Sequence, residues 1–367
     1  PPNVTGNLHM GHALNNTLQD ILIRFYRMRG RDVLWQPGTD HAGIATEMVV
    51  ERELRKQNIK KASLSREEFI EHVWKWKDSS GNKIINQLKR LGCSCDWTKE
   101  RFTLDEGLSK SVRHVFVKLY KDGLVYKDKR LSNWDPKLKT TISDLEVIQK
   151  EVTGTLWYID YEIQNGDGHI TIATTRPETM LGDTAIAVHP KDKRFSDMVG
   201  KFAILPIVKK RIPIVADEYV KMDQGSGAVK ITPAHDFNDY ELGKRHKLEI
   251  INIFNENAEL NENCPEEYQG LDRYTAREKI ISELKEKELL SKEEENLHTV
   301  PYGDRSGEVI EPLLTDQWFV DAKKLSIEAI SNVKNGNTKF IPNNWDKVYF
   351  DWMENIQPWC VSRQLIW

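Results

Sequence analysis

"PPNVTGNLHMGHALNN", residues 1–16, is the stretch on which the reading of the whole chain turns. Two prolines and Gly6 make a turn-rich lead, and apolar residues at helical spacing follow from Leu14, so His9 and His12 fall at or just inside a helix N-terminus. Backbone N–H groups are unpaired there and attract anions. Three residues apart, the two imidazoles face one side of the first turn, while Gly11 lets a ligand approach the backbone. Such a loop suits phosphate oxygens. HxGH is a short pattern, and two helix-start histidines around a packing glycine are its plain structural alternative.

Working outward, Leu14, Leu18, Ile21, Leu22 and Phe25 predict a buried amphipathic helix that Gly30 stops. "RDVLWQPGTDHAG" (31–43) predicts a short strand at Val33–Trp35, broken by Pro37 and Gly38, with Asp40 and His41 just beyond its end. Loop, helix and strand make one α/β unit, the kind that places ligands at the carboxyl edge of a parallel sheet. Helices over 64–91 and 108–121 follow. Near residue 150 the character changes: "TGTLWYIDYEI" (153–163) alternates, and "NGDG" (165–168) is a hairpin signal. Short β-rich runs at 169–179, 184–190, 201–207, 211–217 and 227–233 complete a compact, largely β module. Residues 271–295 predict a helix with Tyr274, Ile280, Ile281 and Leu284 on one face and a solvated charge run opposite. From about 300 the aromatic-rich text returns to the composition of the first region.

Composition narrows the class. With 367 residues, 39% hydrophobic, 30% charged and a net charge of −3, the chain is a soluble globular type and not a strongly basic nucleic-acid packager. A local basic groove stays open. Cys93, Cys95, Cys264 and Cys360 form neither CxxC pairs nor a disulfide framework, which points to reduced thiols in a cytosolic setting and assigns no metal. No apolar run approaches the roughly 18 residues of a membrane span, and nothing resembles a signal peptide. The chain lacks an initiator Met and stops inside the apolar text "SRQLIW", so it reads as an excerpt of a longer protein.

"PNVTGNLHMGHALNN" (2–16), "WQPGTDHAGIATE" (35–47) and "NIQPWCVSRQLIW" (355–367) resemble class I aminoacyl-tRNA synthetases, most closely their valine-specific branch, with Thr39-Asp40 where the isoleucine and leucine branches usually carry Trp-Asp. The likeness spans essentially the whole chain. It implies an α/β fold in which a Rossmann-like parallel-sheet catalytic domain, residues 1–148 and 301–367, is interrupted by a largely β editing domain at 149–300. It also implies ATP and Mg²⁺, valine and tRNA(Val) as substrates and partners, a cytoplasmic location, and no membrane or protein partner. His9, Gly11 and His12 would bind ATP, the two histidines as the catalytic pair. Pro2, Asn3, Asp40 and Trp359 would bind the amino acid, Asp40 through its α-ammonium. Read without the likeness, Asp40 caps a helix near Ala45, Asn3 is a turn residue and Trp359 is core. The family's lysine-bearing second signature, KMSKS-like, is not in these residues.

The β module has its own logic. A pocket sized for valine rejects near-isosteric threonine by only about a hundredfold, a figure already established for valine enzymes, so a second, hydrolytic site is needed. "TTRPET" (174–179) and "GSGAVKITPAHDFNDYELG" (225–243) resemble the family's editing domain, implying an editing pocket of Thr174, Thr175, Arg176, Thr179, Lys230, Thr232, Asp236 and Asp239. Asp239 would hold the ammonium of the misattached amino acid; Arg176, Lys230, Thr232 and Asp236 would contact the tRNA end or the threonine hydroxyl. Unaided, Thr174 and Thr175 are β-formers, Asp236 and Asp239 are helix-start charges, and His235 is either a general base or a locally bonded ring. Two rival readings remain: a small nucleotidyltransferase sharing HxGH, and a stand-alone editing or RNA-binding fragment without adenylation activity.

Overall fold

The N-terminal lead is pinned before any helix begins. Val4 is fully buried, its N–H bonds the Asp40 carbonyl at 2.9 Å, and its own carbonyl accepts the Trp76 indole at 2.7 Å. The computed structural model describes residues 1–165 and 168–367. These fall into two compact units, residues 1–125 with 365–367, and residues 126–364.

The first unit contains α1 (Met10–Met28), β1 (Gly38–Thr39), α2 (Gly43–Lys56), α3 (Arg66–Leu91), β2 (Arg101–Phe102) and α4 (Glu106–Lys121). β1 pairs in parallel with β2, and Asn3 makes a parallel bridge to Asp40, so three segments lie side by side as a small parallel sheet. α3 starts where Ser65 and Glu68 cap it reciprocally and stops at Gly92, whose φ of 88° is left-handed and suits glycine. Val50 and Leu54 of α2 pack with Phe69 and Val73 of α3, and Ile366 and Trp367 close that cluster.

Two expectations fail in this unit. α1 forms as the spacing predicts but has no buried residue: Leu14, Leu18, Ile21 and Leu22 are more than half exposed, because periodicity records which face is apolar and not whether anything covers it. The strand expected at Val33–Trp35 forms instead at Gly38–Thr39. The Trp35 and Pro37 carbonyls accept the Asp96 and Arg101 N–H groups, yet Pro37 has no N–H to return, so the ladder closes only beyond it.

The second unit runs β3 (Val125–Asp135), β4 (Thr140–Ile142), β5 (Val147–Ile163), β6 (His169–Thr174), β7 (Ala185–Val188), β8 (Phe202–Ile204), β9 (Arg211–Ala216), β10 (Ala228–Ile231), α5 (Phe237–His246), α6 (Arg273–Glu286), β11 (Leu290–Gly303), β12 (Glu311–Val320), α7 (Ala322–Lys334), α8 (Trp345–Glu354) and β13 (Trp359–Cys360). A mixed sheet has the order β10-β7-β9-β8-β5-β11, with β6 also on β5; a second has the order β13-β12-β3-β4. β7 and β9 are parallel, the other pairs of the larger sheet antiparallel. Alternate residues Ile159, Tyr161 and Ile163 of β5, Ile170 and Ile172 of β6, and Ile212 and Ile214 of β9 fill one core, each at most 3% exposed. β7, "AIAV", is buried on both faces, as the central strand of a covered sheet must be.

β5 and β11 pair from Val147↔Gly303 to Ile159↔Leu290, making one long two-stranded ribbon. Of the expected "NGDG" turn, residues 166–167 lie outside the described residues; the flanking β5 and β6 are paired at Glu162↔His169. The helix expected over 271–295 ends at Glu286: Glu288 takes a left-handed φ of 57°, and the charge run at 291–295 belongs to β11. Its buried face is Arg273, Ala276, Ile280 and Leu284; Tyr274 is 41% exposed.

Candidate active site and candidate deacylation site

The first site belongs to the first unit. His9 is the N-cap of α1, its Nδ1 accepting the Gly11 N–H at 3.1 Å, while His12 Nδ1 accepts the His9 N–H at 3.3 Å. The two rings lie 4.0 Å apart. With each Nδ1 accepting, each neutral ring carries its hydrogen on Nε2, which leaves two outward donors at a helix N-terminus. Partial burial, and then the neighbouring His9, lower the His12 pKa, and an anion between the rings would reverse the second effect. A Cβ on Gly11 would stand 3.0 Å from the His9 ring, so glycine there makes room for the cap.

Asn3 and Asp40 are brought together by their bridge, with the Asp40 N–H on the Pro2 carbonyl at 2.8 Å. Asp40 Oδ1 accepts the Ala42 N–H at 2.8 Å and lies 3.4 Å from Thr103 Oγ1 and 3.5 Å from His41 Nδ1. All of these fall on Oδ1, and among the described residues no hydrogen bond falls on Oδ2. The Ala42 contact holds the turn before α2, whose N-cap is Ala42 and carries no side-chain cap, so Asp40 is not the helix cap that its place in the sequence also suggested. Trp359 belongs to the other unit, on β13 opposite Val320, and is 57% exposed rather than core.

The second site is a buried polar cluster between β10 and the 3-10 turn Pro177–Gly182. Lys230 Nζ donates to Thr179 Oγ1 at 2.7 Å, Thr232 Oγ1 at 2.5 Å and Asp183 Oδ1 at 3.1 Å. Thr232 Oγ1 donates to Asp183 Oδ1 at 2.6 Å, Tyr161 OH donates to Asp183 Oδ2 at 2.7 Å, and the Thr232 N–H donates to Asp239 Oδ2 at 2.9 Å. Asp239 is 7% exposed; burial first, and then Asp236, push its carboxyl up to about 7. Asp236 caps α5 through the Asn238 and Asp239 N–H groups. Gly182 lets the turn pack close, since a Cβ there would meet the Ile251 carbonyl at 3.1 Å.

Thus Thr179, Lys230, Thr232 and Asp239 are gathered, while the other expected residues stand beside them. Thr174 Oγ1 accepts the Arg176 N–H at 3.0 Å, and Thr175 is partly exposed next to it. The Arg176 guanidinium is held by Glu311 at 2.5 Å, Glu178 at 3.2 Å and the His235 carbonyl at 3.2 Å. Arg273 bonds the same Glu311 and Arg277 the same Glu178, so two buried carboxylates are shared among three arginines. His235 is 1% exposed, its Nε2 accepts the Ile253 N–H at 2.9 Å, and burial drives its pKa well down, which gives the ring a structural task. Asp183, Tyr161 and Glu311 lie outside the motifs read from sequence; a lone acidic residue inside the apolar text "MLGDTAIAV" (180–188) is the available signal for Asp183.

A family model for the tRNA synthetases class I (I, L, M and V) matches residues 1–367. The chain belongs to that family. Among curated proteins similar to it, the valine–tRNA ligase of Pelagibacter ubique is 63% identical over 367 residues, covering all of this chain and 42% of that protein. The valine–tRNA ligase of Mesorhizobium japonicum is 60% identical over 391 residues, again covering all of this chain and 42% of the relative. This class I synthetase chain therefore spans about two fifths of the length of the curated relatives it matches. A solved leucine enzyme of Agrobacterium radiobacter K84, in a complex titled LeuRS-tRNA-LeuAMS, is similar at a TM-score of 0.37 and 20% identity, covering 84% of this chain and 44% of that one. Among the described residues no helix is long and apolar enough to cross a membrane, and no group of three or more His, Cys, Asp or Glu could hold a metal ion.

Proposed function

We propose that this chain is part of a cytoplasmic valine–tRNA ligase, carrying residues of its valine- and ATP-binding site together with a hydrolytic site for mischarged tRNA. The observation that carries the reading is the 63% identity, along the whole chain, to a protein named valine–tRNA ligase. The reaction is attack of the valine carboxylate on the α-phosphate of ATP, giving valyl-adenylate and pyrophosphate, followed by transfer to the terminal adenosine of tRNA(Val). Asp40 Oδ2 takes the α-ammonium, and Pro2 and Asn3 border the amino acid. The Nε2 hydrogens of His9 and His12 meet phosphate oxygens, stabilising charge without acting as bases. Mg²⁺ would arrive on the ATP phosphates and neutralise their charge.

Residues 149–300 form the editing domain, bracketed by catalytic segments 1–148 and 301–367. Its supporting feature is the ribbon: Gln149 faces Pro301 and Lys150 faces Val300, so the module enters and leaves at one place. Asp239 holds the ammonium of threonyl-tRNA(Val), and the neighbouring polar groups orient the ester and its hydroxyl for water. Valyl-tRNA(Val), which lacks the hydroxyl, has one donor fewer to give to the carboxylate acceptor of the pocket and is spared. Asp239→Ala in the full-length protein should abolish threonyl-tRNA(Val) hydrolysis and leave valine-dependent ATP–pyrophosphate exchange intact; loss of both, or of neither, overturns the assignment.

A further inference from the structure

A donor count separates the residues that build the second site from the one that faces a ligand. An ammonium has three hydrogens, and Lys230 directs all three at Thr179, Thr232 and Asp183. The Thr179 hydroxyl in turn donates to the Arg176 carbonyl at 2.9 Å, and the Thr232 and Tyr161 hydroxyls both donate to Asp183. Every polar side-chain hydrogen of the cluster is used inside it. Asp183 is 0% exposed; burial pushes its carboxyl up, and the three of these donors that it receives, with the Lys230 charge among them, favour the anion against that burial. Among the described residues Asp239 keeps Oδ1 without a hydrogen-bond partner, its other oxygen taking the Thr232 N–H.

We propose that Asp183 is a positioning residue of the deacylation site: it fixes Lys230 and Thr232 in a closed chain, so that Asp239 alone is presented to the aminoacyl group and only hydrogen-bond donors, the ammonium and hydroxyl of that group, are read. The inference rests on the editing reading above. It moves Lys230 and Thr232 from ligand contacts to supports, because neither has a hydrogen left to give. It also assigns Asp183 an electrostatic task. The charges around Asp239 are Asp236 at the start of α5, Lys230 on β10, Asp183 after the 3-10 turn and the Tyr219 phenol after β9. Lys230 favours the Asp239 anion and Asp183, by a smaller effect, opposes it, so Asp183 offsets part of what Lys230 does where Asp239 titrates.

The test uses the full-length protein and threonyl-tRNA(Val) hydrolysis as a function of pH. Asp183→Asn should lower kcat by about a hundredfold, with KM little changed, through misplacement of Lys230 and Thr232. It should also move the acid limb to lower pH, because Lys230 would then act on Asp239 unopposed. A residue that merely supports the fold would lower activity and leave the limb where it was. Parental kcat, or an unmoved limb in a folded Asp183→Asn protein, overturns the proposal. Should that variant fail to fold, Asp183→Asn with Lys230→Met removes both charges together, a change that buried pairs often tolerate. Its limb should lie at or above the parental pH, and a downward shift there overturns the proposal too. Asp239→Ala, assayed in parallel, isolates the editing reading: hydrolysis surviving that change refutes the site itself, whatever Asp183 does.

Discussion

An imidazole whose Nδ1 accepts a backbone hydrogen has its tautomer chosen for it, and this is the condition of both His9 and His12. His9→Ala removes a helix cap and a phosphate donor at once. It should cost about 1 kcal/mol of stability by denaturant melting and, in the full-length protein, far more in ATP–pyrophosphate exchange. Gly11→Ala, which displaces the His9 ring without deleting it, should show the same exchange defect in milder form. Asp239 gives a prediction of opposite sign for stability. Its carboxyl titrates near 7 in the folded protein and near 3.8 once unfolding exposes it to water, so the folded state holds an extra proton between those values. Stability that this group supplies is full below about 4 and is lost as pH rises through 7. Asp239→Asn should therefore melt higher than the parent at pH 8, by about 2 kcal/mol, with the gap closing toward pH 5 and hydrolysis gone throughout. That Asn3 meets Asp40, and that Lys230, Thr232 and Asp239 gather, is legible in the sequence because these residues stand in short contiguous motifs. Asp183 and Glu311 are not: what they do depends on partners that only folding brings near, and Glu311 meets Arg176 across 135 positions of chain.

Helices whose ends carry side-chain caps show their limits in the sequence to within a few residues. α3 has Ser65, Glu68 and Gly92 to mark its ends, and its observed span Arg66–Leu91 sits inside the expected 64–91. α6 offers no such stop signal, since its break comes from a left-handed Glu288, and the charged text beyond it serves a strand equally well. The exposure of α1 is illegible for a different reason, because an apolar stripe states a preference that a neighbour must satisfy. Between elements, Glu311 at the start of β12 joins Arg176 to Arg273 of α6, and its side chain is 3% exposed. Glu311→Ala would leave two guanidinium groups without that partner. We expect a loss of about 3–5 kcal/mol, read as a lower denaturant midpoint, with Glu311→Gln losing less.

On the scale of the molecule, the change of character near residue 150 and the return near 300 stand out in the sequence, since alternation of period two replaces helical spacing after residue 150, whereas the compact units divide after Val125 and after Gln364. Pairing across β5 and β11 is invisible to local pattern, for no periodicity tells one strand which distant strand it will meet. Because Gln149 and Pro301 are direct partners, their Cα atoms are about 5 Å apart. Excising 149–300 and joining 148 to 301 through a short glycine turn should leave valine-dependent ATP–pyrophosphate exchange in the full-length protein and remove threonyl-tRNA(Val) hydrolysis. Loss of exchange would mean that the module is structurally required by what surrounds it.

The same ribbon bears on how the protein is made. β6 and β8 pair only with the far end of β5, Trp157–Ile163, whereas Val147–Leu156 has β11 as its partner. A ribosome delivers the first half of that pair long before the second, so this stretch of β5 must wait as an open edge while the whole intervening module is synthesised. Open edges recruit strands from other chains. The waiting segment is "VIQKEVTGTL", with Gln149, Lys150 and Glu151 exposed along it. Charges such as Lys150 and Glu151 discourage strand addition at an open edge, and that need ends when Gly303 arrives.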